Sequence, residues 1–280
     1  MIPFTNTPLD RIAEKRKDSA WLRARLDDPS TIVIGLYDGK PIVRDGALAR
    51  LDTAPVEHPI FLGIDANDAA VFAIETESDA GAEDFRGVIL TLPEHEAAIA
   101  ATARSLFEWH RRHAFCSVCG HASGIAAAGW QRVCPSCNAE HFPRVDPVVI
   151  MLPLFEGRCL VGRQFGWPKG RMSALAGFVE PGETIEEACA REVKEEAGLI
   201  ATGITYFGSQ PWPFPSSLMI GLFAEVASDR AVADGIEMEE VRWLNREEAQ
   251  AMLDGSHPDV LPPSALGISR HLIHTWADRD

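Results

Sequence analysis

Apolar residues recur along the chain with two periods, and the switches between them outline the elements. Residues 31–37 (Thr-Ile-Val-Ile-Gly-Leu-Tyr) and 40–43 (Lys-Pro-Ile-Val) flank Asp38-Gly39, a two-residue hairpin signal. A second pair of strand-like runs, 60–64 and 69–74, flanks the turn-forming stretch 65–68. From 93 to 113 the spacing turns helical, with Ala98, Ala101, Leu106 and Trp109 at helix-like intervals. Strands resume at 148–152 and 158–162. A further helix is predicted over 185–197: Thr184 suits the N-cap, Glu187 completes a capping box, and Gly198 is a natural C′ residue. No long linker and no internal repeat is legible, and nothing before residue 113 suggests chemistry by itself.

The longest apolar run, 148–152, falls far short of the ~20 residues a bilayer span needs. Residues 1–20 lack the apolar centre of an export signal, so the expected location is the cytoplasm, with no membrane partner. With 46% hydrophobic and 24% charged residues, the chain belongs with ordinary globular proteins. Its net charge of −15 argues against a protein that coats nucleic acid, which needs a basic surface. The charge is uneven: −8 over residues 1–103, +3 over 104–144 and −10 over 145–280. That middle piece also holds four of the six cysteines.

Cys116-x-x-Cys119 and Cys134-x-x-Cys137 are two C-x-x-C pairs separated by fourteen residues. This spacing predicts a closed four-thiolate zinc site, structural because no position stays open for substrate. His121 and His141 are expected to be surface polar residues, and Cys159 and Cys189 small core residues. At 100° per residue, Glu192, Glu195 and Glu196 share roughly a 100° arc of the predicted 185–197 helix. Carboxylates crowded in this way raise one another's pKa unless a cation sits between them, and hard oxygen ligands suit magnesium or manganese. Such a cation would recruit substrate phosphates and activate a water. Arg191 is placed to pair back to Glu183.

The stretch from Gly177 to Leu199 resembles the Nudix box, G-x5-E-x7-R-E-U-x-E-E-x-G-U with U aliphatic. It matches at Gly177, Glu183, Arg191, Glu192, Val193, Glu195, Glu196, Gly198 and Leu199. The resemblance implies an α+β chain: a Nudix α/β/α sandwich with a mixed sheet at 145–280, preceded by a four-cysteine zinc ribbon at 113–144 and a β-rich N-terminal domain at 1–112. It also implies hydrolysis of a nucleoside diphosphate, with magnesium or manganese held by Glu192, Glu195, Glu196 and the main-chain carbonyl of Ala176. An inactive ligand sensor would be expected to lose box glutamates, and none is missing.

Downstream lies Ser209-Gln210-Pro211-Trp212-Pro213-Phe214-Pro215-Ser216-Ser217. Three prolines stiffen this loop, so Trp212 and Phe214 are held ready for a flat ring, or simply cap the core, while Gln210, Ser216 and Ser217 offer polar partners. The array after a Nudix box resembles the NADH pyrophosphatase branch of the family. That resemblance implies a homodimer that cleaves NADH or NAD+ into nicotinamide mononucleotide and AMP, and in some members removes NAD caps from RNA. It further implies Phe142 and Phe178 as the pair sandwiching adenine across the dimer. Glu237 would be the distal acidic metal ligand, with Glu239, Glu240 and Glu225 as substitutes. Arg86 and Ser269 match weaker family positions. Lys169 and Arg171 either meet the diphosphate or are solvated. One departure stands out: Gly129 occupies a position where relatives place an acidic substrate contact, although Trp130 beside it is kept.

Overall fold

A strand apolar on both faces must be covered on both faces, and residues 148–152 meet that condition. In the computed structural model, which describes residues 2–51 and 58–278, they lie in the strand Asp146–Phe155 at the centre of a six-stranded mixed sheet. This strand pairs in parallel with Ser217–Val226, from Asp146 opposite Ser217 to Leu154 opposite Glu225. It pairs antiparallel with Leu175–Phe178 and, at its far end, with Arg158–Gln164. Met238–Leu244 extends the sheet beyond Arg158–Gln164, and Ala201–Trp212 extends it beyond Ser217–Val226.

The period of two then decides what each face touches. Val149 and Met151 pack with Ala188, Cys189, Val193 and Ala197 of the helix Ile185–Ala197. Ile150 and Leu152 point the other way, into Met252 and Leu253 of Arg246–Asp254 and Leu272, Ile273 and Trp276 of Ile268–Ala277. The result is the expected α/β/α sandwich, with Cys159 and Cys189 both fully buried core residues.

The chain forms two compact units. One joins Met1–Pro3, Asp146–Gln210 and Ser217–Asp280; the other joins Phe4–Val145 and Pro211–Ser216. In the second, the sheet order is Lys40–Pro41, Ile32–Tyr37, Ala70–Glu75, Ile60–Ile64. The Asp38-Gly39 turn has φ of 46° and 72°, the left-handed pair a tight hairpin requires. The predicted helix runs from Glu94 to Arg112. A short helix, Ser19–Leu26, escapes the hydrophobic pattern because none of its residues is fully buried; it is started by Asp18, whose side chain accepts the Trp21 N–H.

The ribbon expected at 113–144 lies within this unit. Arg132 Nη1 lies 3.1 Å from His110 Nδ1, and since arginine only donates, the His110 proton sits on Nε2, which donates to the Gly129 carbonyl at 2.8 Å. Burial holds His110 down at about 4, so this link is neutral.

Candidate active site

The box helix is fixed at both ends by its own sequence. Thr184 Oγ1 accepts the Glu187 N–H at 3.1 Å and Glu187 accepts the Thr184 N–H at 2.8 Å, while Gly198 closes the helix at φ 68°. Its apolar stripe, Ala188, Cys189, Val193 and Ala197, packs on the sheet, and the Glu192 carboxylate lies against Gly177 of the strand Leu175–Phe178. Gly177 leaves room for the Glu192 carboxylate: a Cβ would lie 1.9 Å from both Cδ and Oε1 of Glu192 in its present position. Gly177→Ala should therefore displace the Glu192 carboxylate. Overpacking of this kind costs about 1–3 kcal/mol, and the expected loss of turnover is about 100-fold. Steady-state rates beside a thermal melt check this, and a wild-type kcat would contradict it.

One guanidinium ties the loop to the helix. Arg191 Nε and Nη2 donate to the two oxygens of Glu183 at 2.6 and 2.9 Å, and Nη2 also donates to the Phe178 carbonyl at 2.9 Å. Its Nη1 reaches Glu192 at 2.7 Å and Glu195 at 2.9 Å. Arg191, and then the Glu180 N–H, hold the Glu183 carboxyl down at about 2. Glu183 is thus a brace for the turn and stays ionised.

Glu196 is the anomaly. It is 2% exposed, and among the described residues neither carboxylate oxygen has a hydrogen-bond partner. Burial, then the Glu192 charge, push it up to about 8, with smaller contributions from Glu237 and Asp234; the nearby Ala176 main chain offsets part of this. Burial likewise raises Glu192, which also feels Glu195 and Glu237, against the opposing pull of Arg191. A sealed, unpartnered carboxylate amid other carboxylates is the donor set a hard divalent cation satisfies. Arg191 Nη1 bridges Glu192 and the exposed Glu195.

Of the acidic alternatives, Glu239 and Glu240 are both engaged by Arg163, at 2.6 and 3.5 Å. Glu237 is the one whose charge acts on Glu192 and Glu196. Asp234, absent from the sequence reading, shapes the loop that carries it: its carboxylate accepts the N–H groups of Ile236, Glu237 and Met238. Its signal was the Asp-Gly step at 234–235, an Asx-turn start.

In the ribbon, the sulphurs of Cys116, Cys119, Cys134 and Cys137 all lie within 4.8 Å of one another. The Cys116–Cys137 and Cys119–Cys134 pairs are 3.6 and 3.5 Å apart. A zinc tetrahedron with bonds of about 2.3 Å has edges of about 3.8 Å, so the set fits. His121 is exposed as expected, whereas His141 is half-buried and its Nε2 lies 3.3 Å from Cys116 Sγ, because the short strand Glu140–His141 brings it back over the first knuckle. His141 supports a ligand rather than decorating the surface.

Three family models cover most of the chain: an NADH pyrophosphatase-like rudimentary NUDIX domain at 12–109, an NADH pyrophosphatase zinc ribbon domain at 111–142, and a NUDIX domain at 144–263. The human NAD-capped RNA hydrolase NUDT12 is 36% identical over 98% of this chain and 72% of its own length. The chain belongs to the NADH pyrophosphatase branch of the Nudix family. The NAD-capped RNA hydrolase NudC of Mycobacterium bovis is 35% identical over 90% of this chain and 85% of its own. A NUDIX hydrolase structure from Nitrosomonas europaea matches with a TM-score of 0.45 at 23% identity, covering 59% of this chain and 90% of that one. Residues 12–109 contain no Glu-Glu pair, so their likeness to a NUDIX domain leaves no trace of the box and no legible repeat.

Within this Nudix chain several positions read as substrate contacts have their polar groups engaged elsewhere. Gln210 is fully buried: its Nε2 donates to the carbonyls of Leu266 at 2.7 Å and Pro3 at 3.2 Å, and its Oε1 accepts the Ile268 N–H at 2.8 Å. Ser269 is also buried, joining Ser173 Oγ and the Ala174 N–H, both at 2.8 Å, and so braces the segment entering the box strand. Ser216 Oγ donates to the Arg144 carbonyl, and Ser217 opens the strand Ser217–Val226.

Pro211–Ser216 packs within the N-terminal unit. Trp212 and Phe214 meet edge to face at 5.1 Å, Trp212 rests on Phe4, and Phe214 rests on Phe85. Arg86 lies 3.9 Å over the Phe214 ring, and Arg104 bonds the Pro213 carbonyl. The core-capping alternative thus describes how these rings are packed. Phe142 and Phe178 are each exposed, 63% and 61%. A Cβ at Gly129, with φ 94°, would lie 2.7 Å from Ile60 Cγ1, so the missing acidic side chain has no room at that backbone position.

Proposed function

We propose that this chain hydrolyses the diphosphate of NADH or NAD+ to nicotinamide mononucleotide and AMP, and that it also removes NAD caps from RNA 5′ ends. The observation that carries the reading is Glu196, a sealed carboxylate of the box without a hydrogen-bond partner among the described residues, which feels the charges of Glu192 in the box and Glu237 beyond it. Glu192, Glu195, Glu196, Glu237 and the Ala176 carbonyl are the proposed ligands of magnesium or manganese. When bound, that metal supplies neutralisation of the diphosphate and acidification of a water.

The chain's own residues do the positioning. Gly177 admits the Glu192 carboxylate, Arg191 and Glu183 hold the turn between strand and helix, and Asp234 shapes the Glu237 loop. Phe142 and Phe178 are proposed to stack on adenine across a homodimer, because two exposed rings offer offset faces to a base. Among the described residues no helix is long and apolar enough to cross a membrane, and a cytoplasmic location is proposed. Negative charge over 145–280 disfavours a long RNA body there, so the capped end alone is the expected contact.

A product assay with NADH, NAD+ and NAD-capped RNA, each with magnesium or manganese, tests the reading. AMP or 5′-monophosphate RNA should appear together with the mononucleotide. Nicotinamide release in place of mononucleotide, or no turnover of any of the three, would overturn it.

A further inference from the structure

Within the N-terminal unit, an open cavity of about 410 Å³ lies between residues 16–22 and the ribbon sheet. Leu22 and Val133 belong to its apolar wall; Arg16, Lys17, Ser19, Gln131 and Glu140 are its polar lining. Two of these polar groups lack partners. Gln131 is 3% exposed, yet its amide Nε2 has no hydrogen-bond partner among the described residues. The same holds for Arg16 Nε. The Arg16 guanidinium lies 3.8 Å over the Trp130 ring, with Arg11 on the same ring at 5.3 Å. Burial, then Arg11, lower the Arg16 pKa against the pull of Glu14, which marks a cation short of counter-charge.

A buried donor left unpaired costs about 1–3 kcal/mol, and a bound acceptor removes that cost. A guanidinium, an ammonium, a hydroxyl and an amide lining one cavity are the donors that recognise a phosphate, and two cations favour a dianion over a carboxylate. Glu140, in the same lining, accepts hydrogen bonds and so suits hydroxyls on the remainder of a ligand. Small-molecule sites run from about 300 to 1,000 Å³, and this volume accommodates a phosphate with a pentose-sized body. We propose that this cavity binds a small sugar phosphomonoester, with the phosphate on Arg16, Lys17 and Gln131 and sugar hydroxyls on Glu140. The site is separate from the glutamates and does not depend on what they hydrolyse.

Calorimetric titration of the full-length zinc-loaded protein with ribose 5-phosphate, beside ribose, tests this. Saturable binding of one ribose 5-phosphate per chain is expected, with none for ribose. Arg16→Gln and Lys17→Glu should each weaken it about tenfold or more, the scale of a lost charge-assisted hydrogen bond. Their NADH hydrolysis should stay within about twofold of wild type. Lys17 is exposed, so its variant remains informative if Arg16→Gln does not fold. No saturation by ribose 5-phosphate, equal binding of ribose, or undiminished binding in Lys17→Glu would each overturn the assignment. Because binding is read without turnover, failure here is distinct from failure of the proposed hydrolysis.

Discussion

Replacing Glu196 with glutamine is expected to lower NADH turnover by about three orders of magnitude while leaving the fold intact. The magnitude follows from removing a charged group at the reacting centre, which commonly costs 10²–10⁴-fold. The fold should survive because glutamine keeps the volume and shape of the side chain it replaces. The same substitution has a signature in stability. Glu196 is raised to about 8 by burial and then by Glu192, so the native state without a divalent ion binds its proton more tightly than the unfolded chain does. Stability from this group is therefore full below about pH 4.5 and is lost as pH rises toward 8, on the order of 5 kcal/mol in all. Without added magnesium or manganese, the wild-type melting temperature should fall between pH 5 and 8, and the Glu196→Gln curve should be flatter. Either metal should restore the wild type at pH 8 and not the variant. Near-normal turnover in the variant, or pH slopes that coincide, would remove Glu196 from the metal site.

Much of the fold was legible because its signals are local. The capping box at Thr184 and Glu187, the glycine stop at 198 and the Asp38-Gly39 turn each act within a few residues, and each is found where the pattern places it. The double C-x-x-C spacing is local in the same sense, since each knuckle folds on itself. The partners of buried polar groups were not legible. Gln210 and Ser269 look like substrate contacts in the sequence, but they bind main-chain atoms or hydroxyls far along the chain, at Pro3, Leu266, Ile268, Ser173 and Ala174. Periodicity carries no information about such pairings. Asp234 was overlooked for a related reason: its carboxylate serves three backbone N–H groups of the loop that carries Glu237, and such a role has no periodic signature. The helix Ser19–Leu26 was missed because half-buried helices show weak amphipathic contrast.

Cys134→Ser is expected to cause the largest loss of stability of any single change in the ribbon. Cys134 is fully buried, and its sulphur lies 3.5 Å from that of Cys119. Structural zinc contributes about 10–16 kcal/mol in isolated zinc-finger peptides, which makes metal binding and local folding one process. Without the ion the four sulphurs cannot ionise together. The Cys137 N–H and other donors lower Cys134, but Cys137 itself, though offered the Ala139 N–H, is pushed up to about 12 by Cys119, burial and the remaining sulphurs. Zinc removes this conflict by taking all four as thiolates, and magnesium cannot, because soft sulphur selects a softer ion. The variant should therefore lose its zinc, melt well below the wild type and lose amide protection over 113–144, and excess magnesium should not repair it. The His110–Gly129 link joins the ribbon to the helix Glu94–Arg112, so protection should also weaken toward the C-terminal end of that helix. A zinc-free Cys134→Ser protein with wild-type melting and wild-type exchange would show that the ribbon holds itself together without the ion, and that its four cysteines serve something other than folding.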